Sequence, residues 1–507
     1  MRSILVIALV ASAASAPCPS FAARSPAATT ERIAPVVATR RAIESAREFL
    51  QDNDLSAAAA GFDGAIRSVG FDKLKPGEQY AALSTAGAIA AQQRDHATAH
   101  PLLMRATGYE QATGSDWHNR LYAAYALQDY GDSARSIATI AKRWPRTLAH
   151  INDVAIFNVA HRLESAQDSS GLWIDLVASL FDAHWTADGM QPNELWRDLV
   201  RINVARGSLD KAIKVASRID SASVMLAVQV EKRFDRVTRG LNRPIDIERI
   251  AQAELERIQA SVRAKPDSLQ RWIDLQYVML RMLQHEQVLA NCDEVIERVR
   301  SGDGASLYTD FDSKYSWVLD LRASALVRLG RWDEAIRQQE QARRRPESGS
   351  MNVSQSLNLG QLYVHLDRPA DAREAVAELG QMSAYGRMQL EVVRLAASVQ
   401  ENDEGAIETH LAFLREHRAD AIETYQRGLL WVDRLDAAAD LLVERLRSDT
   451  WRSDALVAMQ DYPEMIRTAS QQTLYERWLS VVARPEVQAE LRKFGRTMQV
   501  NLAPPRI

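Results

Sequence analysis

Along most of this chain the apolar residues return every three or four positions, the spacing of one helix face. Ile250, Leu255 and Ile258 form one such stripe, and Tyr475, Trp478, Leu479, Val482, Val487 and Leu491 another. One phrase recurs within the pattern: a helix, a short polar break, a bulky residue, and an Ala three positions on that opens a second helix. It is clearest at Leu359-Gly360, Tyr363, Leu366-Asp367-Arg368-Pro369 and Ala372, and just upstream at Leu326, Leu329-Gly330-Arg331-Trp332 and Ala335. A third copy runs from Trp196 and Leu199 through Gly207-Ser208-Leu209 to Ala212. Looser copies occur around Asp54 to Ala65, Arg94 to Ala106, Tyr122 to Ala141, Trp272 to Leu275, Asn402 to Ala406 and Arg434 to Ala438. Three helices end on Arg143-Trp144-Pro145, Ala264-Lys265-Pro266 and Arg344-Arg345-Pro346, where proline cannot donate the next hydrogen bond. Only 16 Pro and 22 Gly in 507 residues leave little room for the turns of an all-β fold.

The phrase resembles the tetratricopeptide repeat, a helix-turn-helix unit of about 34 residues. The first copy matches its pattern at Leu359, Gly360, Tyr363 and Ala372, the second at Gly330, Trp332, Ala335 and Ala342, and the third at Trp196, Leu199, Gly207 and Ala212. The resemblance implies an all-α fold: a solenoid of helix pairs winding as a right-handed superhelix, with a concave inner face. Gly360 and Ala335 are expected where helices cross closely, while Trp332, Leu209 and Tyr363 fill the gaps between pairs. Each pair buries its apolar stripe only by stacking on its neighbours, so stability accrues repeat by repeat. The spacing is not uniform: Ala335 to Ala372 is 37 residues.

Two regions interrupt the rhythm. Residues 219–262 hold Val228 to Leu241 and a long helical pattern from Ile245 to Val262. Residues 301–313 read as an irregular loop dividing an N-terminal array, 38–300, from a C-terminal one, 314–473. Leu474 to Phe494 reads as a capping helix pair whose second helix starts at Arg484-Pro485-Glu486 and ends at Gly495; residues 474–507 are thus cap and loose tail. The start of the chain reads as an export signal, 1–23. Arg2 precedes an apolar run, Ile4 to Ala16, that is short of the about 20 residues of a membrane span. Cleavage is expected after Ala22 or Ala23, since Pro17 disfavours the earlier site. Pro17 also sits badly for a lipoprotein signal at Cys18. Residues 24–37, rich in Ala, Ser, Thr and Pro, read as a disordered linker. Compartment therefore reads as periplasmic or secreted, and no later stretch is apolar enough to span a bilayer.

Composition changes this picture little. The chain is 46% hydrophobic and 25% charged, with a formal charge of −4 that becomes −5 without Arg2, giving no reason to expect nucleic acid as a partner. Cys292 is the only thiol beyond Cys18, so no internal disulfide is expected, and a lone helical Cys reads as a small buried apolar residue. His96 and His100 lie four apart on one helix but lack an accompanying acid or third ligand; His410 and His417 are two turns apart. Neither a phosphate-binding glycine loop nor a G-x-S-x-G elbow is present. Acid pairs such as Asp333-Glu334 and Asp403-Glu404 sit at helix starts, where they favour the dipole, and Arg343 to Arg345 complement a helix end. No catalytic residue, metal or cofactor is expected. Trp196, Trp272 and Trp332 fall on repeat-core positions.

By the family's phasing Trp317, Asp320, Ser324, Asn358, Gln361 and His365 would line the groove. The resemblance implies a scaffold that holds a protein or peptide on that face. Two other readings stay open: a helical component of envelope polysaccharide export that binds glycan, and a helical cell-wall-active enzyme. Against the latter, the lytic-transglycosylase motif is absent from the C-terminal third and Glu44-Ser45 lies in the first helix.

Overall fold

The computed structural model describes residues 34–165, 171–242, 244–302, 304–345 and 352–505; the expected signal peptide, most of the 24–37 stretch and Pro346 lie outside them. Most of the described residues are helical, with no β-strand among them and three isolated bridges only. The chain divides into two compact units, with the break after Ser136.

In the first unit α1 (Pro35–Gln51) packs on α2 (Leu55–Ile66), α3 (Pro76–Gln92) on α4 (His96–Ala106), and α4 on α5 (Gly114–Ala126), which is followed by the first residues of α6 (Tyr130–Arg143). Pro35 occupies the first helical position, where its missing N–H costs nothing. The helical array therefore starts at Pro35, inside the stretch expected to be disordered. Phe62, Phe71, Leu83 and Ala46 are buried between the pairs. Each large apolar side chain hidden in this way contributes about 1.5–3 kcal/mol.

The recurring phrase is a turn with fixed geometry. At Asn53, Arg94, Gln128, Gly207, Leu283, Gly330, Asp367, Asn402 and Asp433 the backbone enters the left-handed region, φ between +56° and +71° for all but Gly330 at +72°. The next residue sends its N–H back to the carbonyl five positions earlier, as Asp54 does to Phe49 and Arg331 to Leu326, both at 2.9 Å. This satisfies a terminal carbonyl and reverses the chain. Four residues later comes the position that meets the partner helix: Ala58, Ala99, Ala212, Ala335, Ala372 and Ala438 there are all completely buried. Asp54, Asp95 and Asp403 also cap the second helix by accepting a backbone N–H.

The second unit continues with α7 (Asp153–Ser165), α8 (Leu172–Asp182), α9 (Asn193–Ala205), α10 (Leu209–Ala216), α11 (Ala222–Val230) and α12 (Asp235–Gly240). Then follow α13 (Ile247–Ala264), α14 (Leu269–Arg281), α15 (His285–Ser301), α16 (Gly304–Leu307), α17 (Phe311–Arg328) and α18 (Trp332–Arg343). The remainder comprises α19 (Val353–His365), α20 (Pro369–Ala375), α21 (Ala384–Glu401), α22 (Glu404–Glu416), α23 (Ile422–Trp431), α24 (Leu435–Arg447), α25 (Arg452–Ala458), α26 (Ala469–Val482) and α27 (Pro485–Phe494). From α13 to α24 successive helices pack in chain order. The 301–313 segment lies within this unit and includes the short helix α16. Among the core positions named above, Trp196, Ala335, Gly360 and Tyr363 are buried, whereas Trp272, Trp332 and Leu209 are half-buried. A methyl group on Gly360 would stand 2.8 Å from Val376 and 3.1 Å from Val393, so the close crossing there is real.

The end of this unit departs from a simple cap. α27 packs on α24 as a cap would, but α26 touches α19, α23 and α24, and α25 packs on α11. The cause lies in α11, whose residues Ala222, Val224 to Val228 and Val230 are all buried; a helix apolar all round must be covered on every side. Immediately after it the fully buried Glu231 accepts from Ser453 Oγ at 2.5 Å and from Arg452 at 3.2 Å, and pairs with Arg233. Arg496 donates to the carbonyls of Val230 and Gln229 and to Asp235. The unit thus closes on itself. Nor is the tail loose as far as Pro505: Val500 and Leu502 are buried, and the Ala503 N–H donates to the Arg281 carbonyl at 2.7 Å.

Candidate functional site

The first helices of successive pairs carry a ladder of polar side chains. On α17, Asp320 Oδ1 accepts from Gln339 Nε2 of α18 at 2.5 Å and from Asn358 Nδ2 of α19 at 2.8 Å. On α19, Gln361 donates to Gln389 Oε1 of α21 at 2.9 Å, and Arg427 of α23 donates to the same oxygen at 2.7 Å. Gln389 in turn donates to Thr424 Oγ1 at 2.6 Å. His365 stacks on Trp431, centroids 5.9 Å apart and planes 23° from parallel. Polar groups this deeply placed are tolerated where they find partners on neighbouring helices, as Asp320, Asn358, Gln361 and Gln389 do.

Facing this ladder are the segment 458–467, α26 and the tail residues Ala503 to Pro505, and between the two walls lies a cavity of about 710 Å³. That is the size of an ordinary ligand pocket. Its apolar wall includes Tyr277, Ile466 and Leu479, which keep 41%, 57% and 47% of their surface exposed. The tail is fixed there by backbone bonds: Asp461 N–H to Met498 O at 3.0 Å and Val500 N–H to Asp461 O at 2.9 Å. Burial pushes the Tyr462 phenol well above its usual range, and its hydroxyl donates to the Val457 carbonyl at 2.8 Å. Of the wall's arginines, Arg281 is paired with Glu254 at 2.8 Å and Arg467 lies over the Tyr475 ring at 3.7 Å.

Asp320, Ser324, Asn358, Gln361 and His365 all line this cavity. Trp317 does not; half-buried, it packs against the core. Family phasing had no means of finding Gln339, which comes from a second helix, or the wall supplied by α26. A signal for the latter exists, since Tyr475, Leu479 and Val482 share one helical face, but the same stripe suits the stacking face of a cap.

Other candidates have structural roles. His100 Nε2 meets Asp132 Oδ2 at 2.9 Å, and Arg120 binds the same carboxylate and Thr107. The pairing with His96 therefore gives way to a clamp between α4, α5 and α6. His410 bonds to Glu391 at 2.6 Å and His417 stacks on Phe413. Cys292 is fully buried, and that burial pushes its thiol far up from the usual range. Among the described residues no three His, Cys, Asp or Glu are grouped so as to hold a metal ion. Nor is any described helix long and apolar enough to cross a membrane. A second, strongly charged cavity of about 420 Å³ lies between α15, α17 and α18, walled by residues such as Asp293, Arg300, Arg322 and Glu334.

Paired helices, left-handed turns and buried alanines make this an α-helical repeat protein of tetratricopeptide-like units. No family model matches the chain, and no curated protein does. Solved structures similar to it include the Cut9–Hcn1 hetero-tetramer of the APC/C, at 11% identity over 90% of this chain and 89% of that one, TM-score 0.29. Yeast Tom70 matches at 10% identity over 90% and 99%, TM-score 0.28, and the P58(IPK) TPR domain at 13% over 81% and 100%, TM-score 0.21. Likeness at that level carries no weight for function, and the fold stands on this chain's own helix pairs.

Proposed function

We propose that the protein is a non-catalytic scaffold that binds a protein or peptide segment in the cavity between its polar ladder and its C-terminal wall. The observation behind this is the cavity itself, where successive repeats deliver carboxamides and apolar side chains to one face. A carboxamide offers both donor and acceptor, as a peptide unit does, and Gln339, Asn358 and Gln361 of the repeats line the cavity. The exposed Tyr277, Ile466 and Leu479 supply apolar contact, which such interfaces concentrate at their centre.

A photo-crosslinking residue placed at Ser324 in the full chain tests this reading in cells of the source organism. The expected result is a discrete protein adduct from Ser324 and none from Glu297 in the second, charged cavity. Adducts equal at both positions, or glycan recovered in place of protein, would sink it. We propose further that the protein works outside the cytoplasm, on the strength of the apolar run Ile4 to Ala16. Sequencing the N-terminus of the protein from its source checks this: a start at Ala23 or Arg24 is expected, and a retained Met1 overturns it.

A further inference from the structure

Asp320 is only 4% exposed, yet among the described residues it forms no ion pair. Its two hydrogen bonds, from Gln339 and Asn358, both fall on Oδ1. The nearest arginine along its own helix, Arg322, turns to Asp293 at 2.6 Å. Of the four arginines that line the cavity, Arg281 is engaged with Glu254, Arg427 with Gln389 and Arg467 with the Tyr475 ring, and none of these or Arg328 is within ion-pair distance of Asp320. Beside Asp320, Gln339 is 3% exposed, and its Oε1 is buried with no hydrogen-bond partner among the described residues. Both side chains line the cavity. A buried carboxylate without a cation and a buried carbonyl without a donor are each costly to leave unmatched. Lying together, they ask for the same thing: a positively charged N–H group.

We propose that the Asp320–Gln339 end of the cavity is a cation subsite, which takes the ammonium or guanidinium of a basic side chain in the bound peptide. The inference rests on the peptide-binding reading and adds the chemistry of the segment: a Lys or Arg reaching Asp320, with apolar neighbours on Tyr277, Ile466 and Leu479. An ammonium has three donors, enough to serve both Asp320 and the Gln339 carbonyl, and charge-assisted bonds of this kind are the stronger ones. A purely structural role for Asp320 would make its charge matter to stability. The subsite reading separates the two. In Asp320→Asn the carboxamide oxygen can still accept from both Asn358 and Gln339, so the fold keeps its bonds and loses an unpaired buried charge.

The test titrates the full-length protein with N-acetyl-lysine methylamide and its neutral isostere N-acetyl-norleucine methylamide, followed by calorimetry. The lysine probe is expected to bind about tenfold more tightly, the ratio that one charge-assisted contact supports. Asp320→Asn should abolish the difference with a thermal midpoint equal to or above that of the parent. Ser324→Lys, one turn along α17, should do the same by placing a tethered cation beside Asp320. Equal binding of the two probes, saturable binding of neither, or a lysine preference that survives both substitutions would overturn the subsite. Norleucine binding without lysine preference would leave the peptide reading standing, and the Ser324 crosslink judges that reading independently.

Discussion

At the scale of the residue, the turns make the most local demand. Gly207 holds φ +71°, and a Cβ built there meets nothing within 4 Å. Gly207→Ala therefore isolates backbone strain and should lower stability by about 1 kcal/mol, read as an earlier midpoint in urea. Arg94 holds φ +60° with an exposed side chain. Arg94→Gly relieves about 1–2 kcal/mol of that strain but frees the unfolded chain by about 0.4–1 kcal/mol, so a gain of about 0.5 kcal/mol is expected in the same assay. A loss at Arg94, or no change at Gly207, would contradict the turn geometry. This layer was largely legible from sequence. The Ala three positions after the bulky residue marked the buried crossing because only a small side chain fits where two helices meet. The turn residue was less so, because Asn, Arg, Gln, Leu, Asp and Gly all serve at a position defined by backbone shape.

At the scale of the element, helices are tied by buried charges as well as by apolar stripes. In the first unit, Asp132 at the start of α6 holds Arg120 of α5 and His100 of α4. Burial opposes its ionisation, but hydrogen bonds from Arg120 and His100 outweigh that and hold its carboxyl below the ordinary 3.8. A depressed native value means that the clamp's contribution is complete above the ordinary carboxylate range and is lost as pH falls through the native value. Asp132→Asn should therefore destabilise the protein at neutral pH and flatten the acid limb of its stability curve. Chemical denaturation at a series of pH values between neutrality and about 2 checks the sign; a steeper acid limb in the variant would refute the clamp. The sequence singles out His100, beside His96 on one helix, but not its partner, because Asp132 is 32 residues away and nothing in the pattern joins the two.

At the scale of the molecule, closure of the second unit is the feature that sequence concealed. An array of repeats specifies contacts between neighbours in the chain, whereas Glu231 and Ser453 are 222 residues apart. Two clues were present: the run Val224 to Val230, too apolar for a surface helix, and a carboxylate placed directly after it. Neither names its partner. Repeat phasing likewise points to one side of the cavity only. Asp320, Ser324, Asn358 and Gln361 follow from repeat phasing, while the opposite wall is built by segments that return from the end of the chain. If that return depends on the Glu231 junction, Arg452→Ala removes one of the two arginines that compensate a fully buried carboxylate, together with the donors to the Leu446 and Arg447 carbonyls. It should cost about 3 kcal/mol, with Arg233 left as the cation on Glu231. The pairs from α13 to α24 are held by their own stacking, so the loss should fall first on the end of the unit. Hydrogen exchange should then show the amides of Asp461, Val500 and Ala503, all bonded within the returning segments, losing protection while those inside α17 and α19 keep theirs. Uniform loss across the unit would instead mean that closure and stacking form one cooperative structure, and that the cavity's far wall cannot open unless the repeats unfold with it.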